Sequence, residues 1–438
     1  MSARRLLVLC YFYPPLAGGG VHRVLGFTRH LPAHGWRCTV VAAGEGDYWV
    51  TDESLRAAIP ADTEVIRVSG GTPFSSWLRL RRGDRGRRSG GTYSGLRALS
   101  DWWLFPDPYA GWAARARRAA ERRIGEGGID AVLTSSPPDS VHLAGLALRR
   151  RFHLPWVADF RDPWVGLSFR RPPTEWHRRR HLAAERAVME GADVVLAASR
   201  THAVAAAARS EARVPEGRVR HLPNGYEPAG AGAASAATRD VAGEGDRDGG
   251  TFRLLFSGTL SQMPDTGTFL DALHDWFAHQ PEARRRVRVT LAGPFEQEYA
   301  DRAVALGLTG IVAFPGPLGH ADVRARQRAA DVLLLWKPRD YPTMVPGKLY
   351  EYADAGRPIV AVLPADDEAA ELVRRAGGEV TPPGDRRTLA AALERRYQAW
   401  KSSGRAPDRR PDWLDEHTRA ALSARLAAVL DETAGAAR

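Results

Sequence analysis

Two stretches of this chain set reactive side chains at spacings that could do chemistry. The first is Pro346-Gly347-Lys348-Leu349-Tyr350-Glu351-Tyr352, followed by Ala355-Gly356-Arg357-Pro358-Ile359-Val360. It reads as loop, short helix, glycine stop and buried strand. Lys348 falls at the helix N-terminus, where an anion such as a phosphate would meet both the ammonium and the free backbone N–H groups. Glu351 follows one turn later, where a carboxylate can accept from sugar hydroxyls. The plain alternative is a capped helix with exposed charges.

The second stretch is Ala158-Asp159-Phe160-Arg161-Asp162-Pro163-Trp164, at the end of an apolar run. Two carboxylates, a guanidinium and an indole converge there, as an acceptor site would require. An internal Arg–Asp structural network is the other reading, and residue types alone leave both open. Two glycine turns complete the set. Gly18-Gly19-Gly20 precedes a helical pattern, so the backbone can approach a ligand beside a helix N-terminus. Gly258-Thr259-Leu260 follows a second apolar run and allows the same approach.

These segments need elements to hold them. Arg5–Cys10 and Cys38–Ala43 read as buried strands, with a helix over Val21–His34 stopped by Gly35. Strands at Asp130–Ser135, Pro155–Phe160, Asp193–Ala198 and Val219–Leu222 alternate with helical patterns, and Ser69–Trp112 reads as irregular. The alternation restarts at Phe252–Phe256 and runs through Val287–Ala292, Ile311–Phe314, Val332–Trp336 and Pro358–Leu363. Pro411–Leu430 reads as one last helix. Alternating β and α units imply parallel sheets covered on both faces, with ligands at the carboxyl ends of the strands. All four reactive segments fall at such ends.

The expected organisation is an N-terminal domain over residues 1–227 and a C-terminal domain over 251–405. Residues 228–250 are Ala/Gly/Ser/Asp-rich and read as a low-complexity linker. Residues 406–438 read as a terminal helix that returns to the first domain.

The bulk numbers exclude several classes. The chain has 438 residues, 44% of them hydrophobic, enough for two cores. Its two cysteines, Cys10 and Cys38, lie in apolar strands and fit buried thiols of a reducing compartment. No His/Cys cluster has metal-ligand spacing, and the Asp246-Arg247-Asp248 triplet lies in the linker, so no metal is expected. No apolar run approaches the roughly 18–20 residues that span a bilayer, and no signal peptide is visible. A cytoplasmic protein is expected, peripheral at the inner face of the cell membrane if it docks there. The formal net charge of +11 invites an anionic partner. No helix-turn-helix, zinc-finger or RRM-type motif is present, which argues against nucleic acid. Ser75–Arg88 mixes Trp77, Leu78 and Leu80 with six arginines and one aspartate, and Trp102-Trp103-Leu104-Phe105 follows it. An anionic membrane surface is therefore a candidate partner.

Taken in order, Tyr11–Gly20, Ser135 with Pro137-Pro138, Ala158–Trp164, Leu222-Pro223-Asn224-Gly225 and Lys348–Pro358 resemble the family-4 glycosyltransferases of the GT-B fold. The subgroup they look most like builds bacterial cell-surface polysaccharides. The resemblance implies two Rossmann-like doubly wound domains facing an interdomain cleft. It implies transfer of a hexosyl or N-acetylhexosaminyl group from a nucleotide diphosphate sugar, UDP favoured, to a glycan, glycolipid or small-molecule acceptor. Retention of anomeric configuration follows, with no metal and no cofactor beyond the sugar nucleotide.

Carried over residue by residue, the resemblance puts Gly19, Gly20, Gly258, Thr259, Lys348, Leu349 and Glu351 at the donor. It puts Lys348, Arg161 and Asp162 at the reaction, and Asp159 and Trp164 at the acceptor. The chain departs from the family at three points. Of the family's two glutamates the second matches Glu351, while the first falls on Thr343. The family's frequent Arg and Lys after the strand are absent from Gly258–Asp265, which shifts weight onto Lys348. The frequent histidine after the fifth strand is Arg161, so a histidine base there is excluded. A non-catalytic sugar-nucleotide or glycan-binding subunit is the alternative that these departures keep open.

Overall fold

A computed structural model describes residues 3–16, 20–44, 52–69, 102–167, 172–209, 214–228, 250–260 and 263–436. Gly18, Gly19, the basic stretch Ser75–Arg88 and linker residues 229–249 lie outside the described residues. The chain divides into two compact units, Met1–Gly225 with Arg419–Arg438, and Tyr226–Thr418.

The first unit is built on a parallel sheet of β1 (Arg4–Cys10), β2 (Trp36–Ala43), β3 (Glu64–Val68), β4 (Ala131–Ser136), β5 (Trp156–Phe160), β6 (Val194–Ala197) and β7 (Val219–His221). Their order is β3-β2-β1-β4-β5-β6-β7. Side chains alternate across a strand, and in this sheet both faces are apolar. Leu7, Leu9 and Val41 face a core with Trp112, Val141 and Val188. Leu6, Val8 and Val40 face the opposite core with Val24, Phe27, Leu422 and Leu426. The terminal helix Arg419–Ala436 belongs to this second layer. It crosses the helix Val21–His30 so closely that a Cβ on Gly26 would lie 2.5 Å from Arg419 Cδ. Cys10 and Cys38 are free, buried thiols, and burial pushes each up to about 12.

The second unit repeats the design with β8 (Phe252–Ser257), β9 (Val287–Ala292), β10 (Val312–Gly316), β11 (Val332–Trp336), β12 (Ile359–Val362) and β13 (Glu379–Thr381). Their order is β10-β9-β8-β11-β12-β13, all parallel. Every residue of β11 is buried, as a central strand covered on both faces requires. Each unit is thus a doubly wound Rossmann-like sheet, as the alternation implied.

Three details differ from the sequence reading. The helix expected over Val21–His34 ends at His30 and continues as a 3-10 turn, Leu31–His34. Pro32 has no N–H to continue the α ladder, and Gly35 closes the turn at φ 79°. The helix expected over Pro411–Leu430 is a 3-10 turn, Asp412–His417, then a separate helix from Arg419. Thr418 between them is extended at ψ 146° and bridges to Tyr226. The edge strands β3 and β13 were not expected. They have five and three residues, too short to show a period.

Candidate functional site

In an open parallel sheet the crevice lies where strand order reverses, outside the carboxyl ends. In the second unit that point lies between β8 and β11. Gly258 and Thr259 leave the end of β8 and are exposed. Gly258 has φ 131°, a conformation that side chains other than hydrogen rarely adopt. Its N–H donates to Ala292 O at 2.8 Å, and Gly293 packs so tightly on it that a Cβ there would lie 1.9 Å from Gly258 O.

The helix Gly347–Asp354 follows the loop after β11 and points its first turn at the same place. Leu349 is fully buried among Tyr350, Tyr352 and Leu333, which anchors that turn to the core. Lys348 is left to reach over the end of β8. Its ammonium lies 3.6 Å from the centroid of the Phe256 ring. A Cβ on Gly258 would lie 3.0 Å from the same nitrogen. The lysine stem is partly accessible, but Nζ itself is closed off from water and has no hydrogen-bond partner among the described residues. Burial drops the lysine from its usual range to about 7, against the raising pull of the Glu351 carboxylate. A cation held this way, beside a helix N-terminus and without an acceptor, is matched to an incoming anion.

Glu351 is held from the side. Gln327, fully buried on the helix His320–Ala329, donates Nε2 to Glu351 Oε2 at 3.3 Å and to Ser257 Oγ at 3.2 Å. Arg324 donates to Gln327 Oε1 and to the Glu351 carbonyl, each at 3.0 Å. Tyr352 OH accepts from the Ser257 N–H at 2.8 Å. The end of β8, Gln327 and the lysine–glutamate helix are therefore one hydrogen-bonded assembly.

The loop that delivers this helix is tied down by a buried ion pair. Lys337 Nζ, directly after β11, meets Asp367 Oδ2 at 2.5 Å, with both side chains 3% exposed. The same ammonium donates to Pro342 O at 2.9 Å and Met344 O at 2.8 Å. Burial lowers the lysine, and Asp367 opposes that shift. Nearby, Arg339 grips the buried Asp265, which also accepts from Gly384 N at 3.1 Å.

The first unit brings its expected residues to the ends of β1, β4 and β5. Asp159, expected at the acceptor, is wholly buried. It accepts from Arg23 Nε at 3.0 Å, Arg23 Nη2 at 2.7 Å and Ser135 Oγ at 2.8 Å. Burial pushes its carboxyl up, but the Arg23 charge and hydrogen bonds outweigh that and hold it below the usual range. Around Asp159 the structure is the internal network that the residue types left open. Trp164, also expected at the acceptor, is 3% exposed and donates its indole N–H to His181 Nδ1 at 3.0 Å. Arg161 donates to Ser136 O and Gly20 O, each at 2.5 Å, so it joins the ends of β4 and β5 to the glycine turn. Asp162 follows it, partly exposed. His142 and His202 flank the Phe160 ring, and burial drops them to about 3 and about 4. Both are neutral at ordinary pH.

Sequence reasoning missed Gln327, Arg23 and the Lys337–Asp367 pair. Lys337 carried a signal, since a lysine immediately after an all-apolar strand must find a partner. Gln327 and Arg23 carried none, because their partners are far along the chain.

The model of Glycosyltransferase Family 4 matches residues 17–229, and that of Glycosyl transferases group 1 matches residues 251–399. No curated protein sequence matches the chain. Among solved structures, Anabaena Alr3699/HepE in complex with UDP and glucose is similar at TM-score 0.63 and 16% identity, over 98% of this chain and 100% of that one. Sucrose-phosphate synthase from Thermosynechococcus elongatus is similar at TM-score 0.65 and 16% identity, over 99% and 100%. An alpha,alpha-trehalose-phosphate synthase (UDP-forming) from Burkholderia vietnamiensis is similar at TM-score 0.63 and 16% identity, over 99% and 98%. At these identities the likeness concerns the fold. The two family models span most of the sequence, and they fall on the two doubly wound units just described. The chain belongs to the family-4 glycosyltransferases of the GT-B fold.

Proposed function

We propose that the chain transfers a hexosyl or N-acetylhexosaminyl group from a nucleotide diphosphate sugar, UDP favoured, to a lipid-linked saccharide or small-molecule acceptor. Anomeric configuration is retained, and no metal ion takes part. The observation that carries this reading is the Lys348 ammonium at a helix N-terminus, closed off from water and without an acceptor among the described residues. The donor diphosphate supplies the missing counter-charge, and Glu351 accepts from the ribose. Two similar structures were solved with UDP or UDP-glucose bound, which supports a uridine donor. The surface-polysaccharide subgroup that the motifs resemble supports a lipid-linked acceptor.

In the reaction the anomeric C–O bond to the diphosphate breaks as negative charge gathers on the leaving phosphate. Lys348 and the helix N-terminus are already in place for that charge and need not reorganise. The acceptor hydroxyl attacks from the face the phosphate leaves, and the phosphate takes its proton. This route needs no side-chain base, in keeping with Arg161 standing where relatives often carry histidine. Asp162, beside Arg161, orients the acceptor.

The test is a panel of sugar nucleotides given to the purified chain with a polyprenyl-linked sugar, with and without a chelator. Product mass and anomeric configuration are read by mass spectrometry and NMR. Consumption of one UDP-sugar, unchanged by chelator, with a retained linkage is the expected result. No turnover of any donor that nevertheless binds would leave the non-catalytic reading in its place.

A further inference from the structure

Among the described residues of the first unit, three tryptophans stand open to solvent: Trp102 at 52%, Trp103 at 80% and Trp176 at 62% exposure. Two of them meet one ring. His177 packs edge-on against Trp102, at 5.5 Å, and against Trp176, at 4.8 Å. Arg180 lays its guanidinium over Phe105 at 3.9 Å and toward Trp176 at 5.4 Å. His181 packs on Phe105 at 4.9 Å and accepts the Trp164 indole N–H. The result is a continuous aromatic shelf along the start of the helix Glu175–Gly191, joined through Trp164 to the segment that ends β5.

The shelf is also basic. Arg178, Arg179 and Arg180 follow one another, and the single carboxylate of Glu175 serves the first two. Arg179 keeps 77% of its side chain exposed even so. Large aromatic side chains are seldom left in water as a group unless something covers them. Tryptophan ringed by arginine suits a membrane–water boundary, where the indole enters the headgroup layer and the guanidinium meets lipid phosphates. Among the described residues no helix is long and apolar enough to cross a membrane, so contact there would be from the surface.

We propose that the shelf of Trp102, Trp103, Trp176 and Arg178–Arg180 docks the first unit on an anionic lipid surface. This stands apart from the donor-site reading, because it needs no turnover. Docking sets the β5 end of this unit near the bilayer, where a lipid-linked saccharide would present its sugar.

The experiment is co-sedimentation of the full chain with phosphatidylcholine vesicles, with and without phosphatidylglycerol, at low and high salt. The expected result is binding that requires phosphatidylglycerol and fades with salt. Arg179→Gln should lower the partition coefficient about fivefold. Trp103→Ala with Trp176→Ala should lower it further, with an unchanged melting temperature because both side chains are exposed. No vesicle binding overturns the proposal, as does equal binding to neutral vesicles or wild-type binding by the double tryptophan variant. Lipid-independent self-association that the tryptophan changes abolish overturns it in favour of a second copy of the chain.

Discussion

The Lys348 ammonium sits 3.6 Å from the centroid of the Phe256 ring, which offsets part of the cost of its burial. A cation over an aromatic face gains on the order of 1–2 kcal/mol when desolvated. Full hydration of an ammonium is worth far more. Burying the charged residue is therefore a local cost, and a ligand phosphate would relieve it. Gly258 itself is required by its φ of 131°, and a Cβ there would also press on this nitrogen at 3.0 Å.

Replacing Lys348 by Ala is expected to lower turnover by about 10² or more while the fold stays intact. The loss should fall on kcat more than on KM, because leaving-group charge is largest in the transition state. Steady-state kinetics with circular dichroism as the folding control measure this. Unchanged kinetics in a folded variant would remove Lys348 from the reaction.

Gln327 is expected to act through Glu351. Its amide bridges Glu351 Oε2 and Ser257 Oγ, so Gln327→Ala frees the carboxylate to swing away from the ribose. Donor affinity should fall in that variant and in Glu351→Ala, with less than additive loss in the double variant. Coupling in contacting networks runs about 0.5–3 kcal/mol. Titration calorimetry with UDP across the four proteins reads it. Additive losses would mean that Gln327 does not orient Glu351. No loss in Glu351→Ala would remove Glu351 from the donor.

Asp159→Ala is expected to act on stability rather than on the acceptor. It would leave Arg23 buried at 2% exposure with no counter-charge. Removing one partner of a buried pair costs about 3–5 kcal/mol, on the order of 10 °C in Tm for a unit of this size. Asp162, partly exposed at the end of the same segment, should respond the other way, with a raised acceptor KM and little change in Tm. Equal thermal losses in the two variants would contradict this division of labour.

Why Asp159 was harder to read than Lys348 follows from where their partners lie. The lysine, the glutamate, the helix and its glycine stop are all local, so spacing alone displays them. Both sheets were legible for a related reason: strands buried on both faces are continuous apolar runs, and each run here is followed by a helical pattern. The partner of Asp159 is Arg23, on the helix after β1, and only the β1–β4–β5 pairing brings the two together. Gln327 meets Glu351 through the second sheet in the same manner. The short strands β3 and β13 escape because five and three mostly half-buried residues show neither a period nor an apolar run.

The burial of Lys348 also makes stability depend on pH. Burial lowers Lys348 from the usual lysine value of 10.5 to about 7. Between those values the unfolded chain binds a proton that the folded chain does not, so stability rises with pH across that window. Below about pH 7 the lysine is charged in both states, and the full cost of burying it is present. Lys348→Met keeps the stem and removes the charge. It should therefore raise Tm without ligand, most strongly below pH 7, and the gain should shrink toward pH 10.5. UDP should reverse the order, because the diphosphate restores the charged lysine and the wild type then gains more than the variant. Binding to the wild type above pH 7 should take up a proton, seen as a dependence of calorimetric heat on the buffer's ionisation enthalpy. Thermal scans of both proteins across this range, with and without UDP, measure the effect. A methionine variant less stable than wild type at every pH would show that the lysine charge is already compensated without an anion, which would then have no deficit to fill.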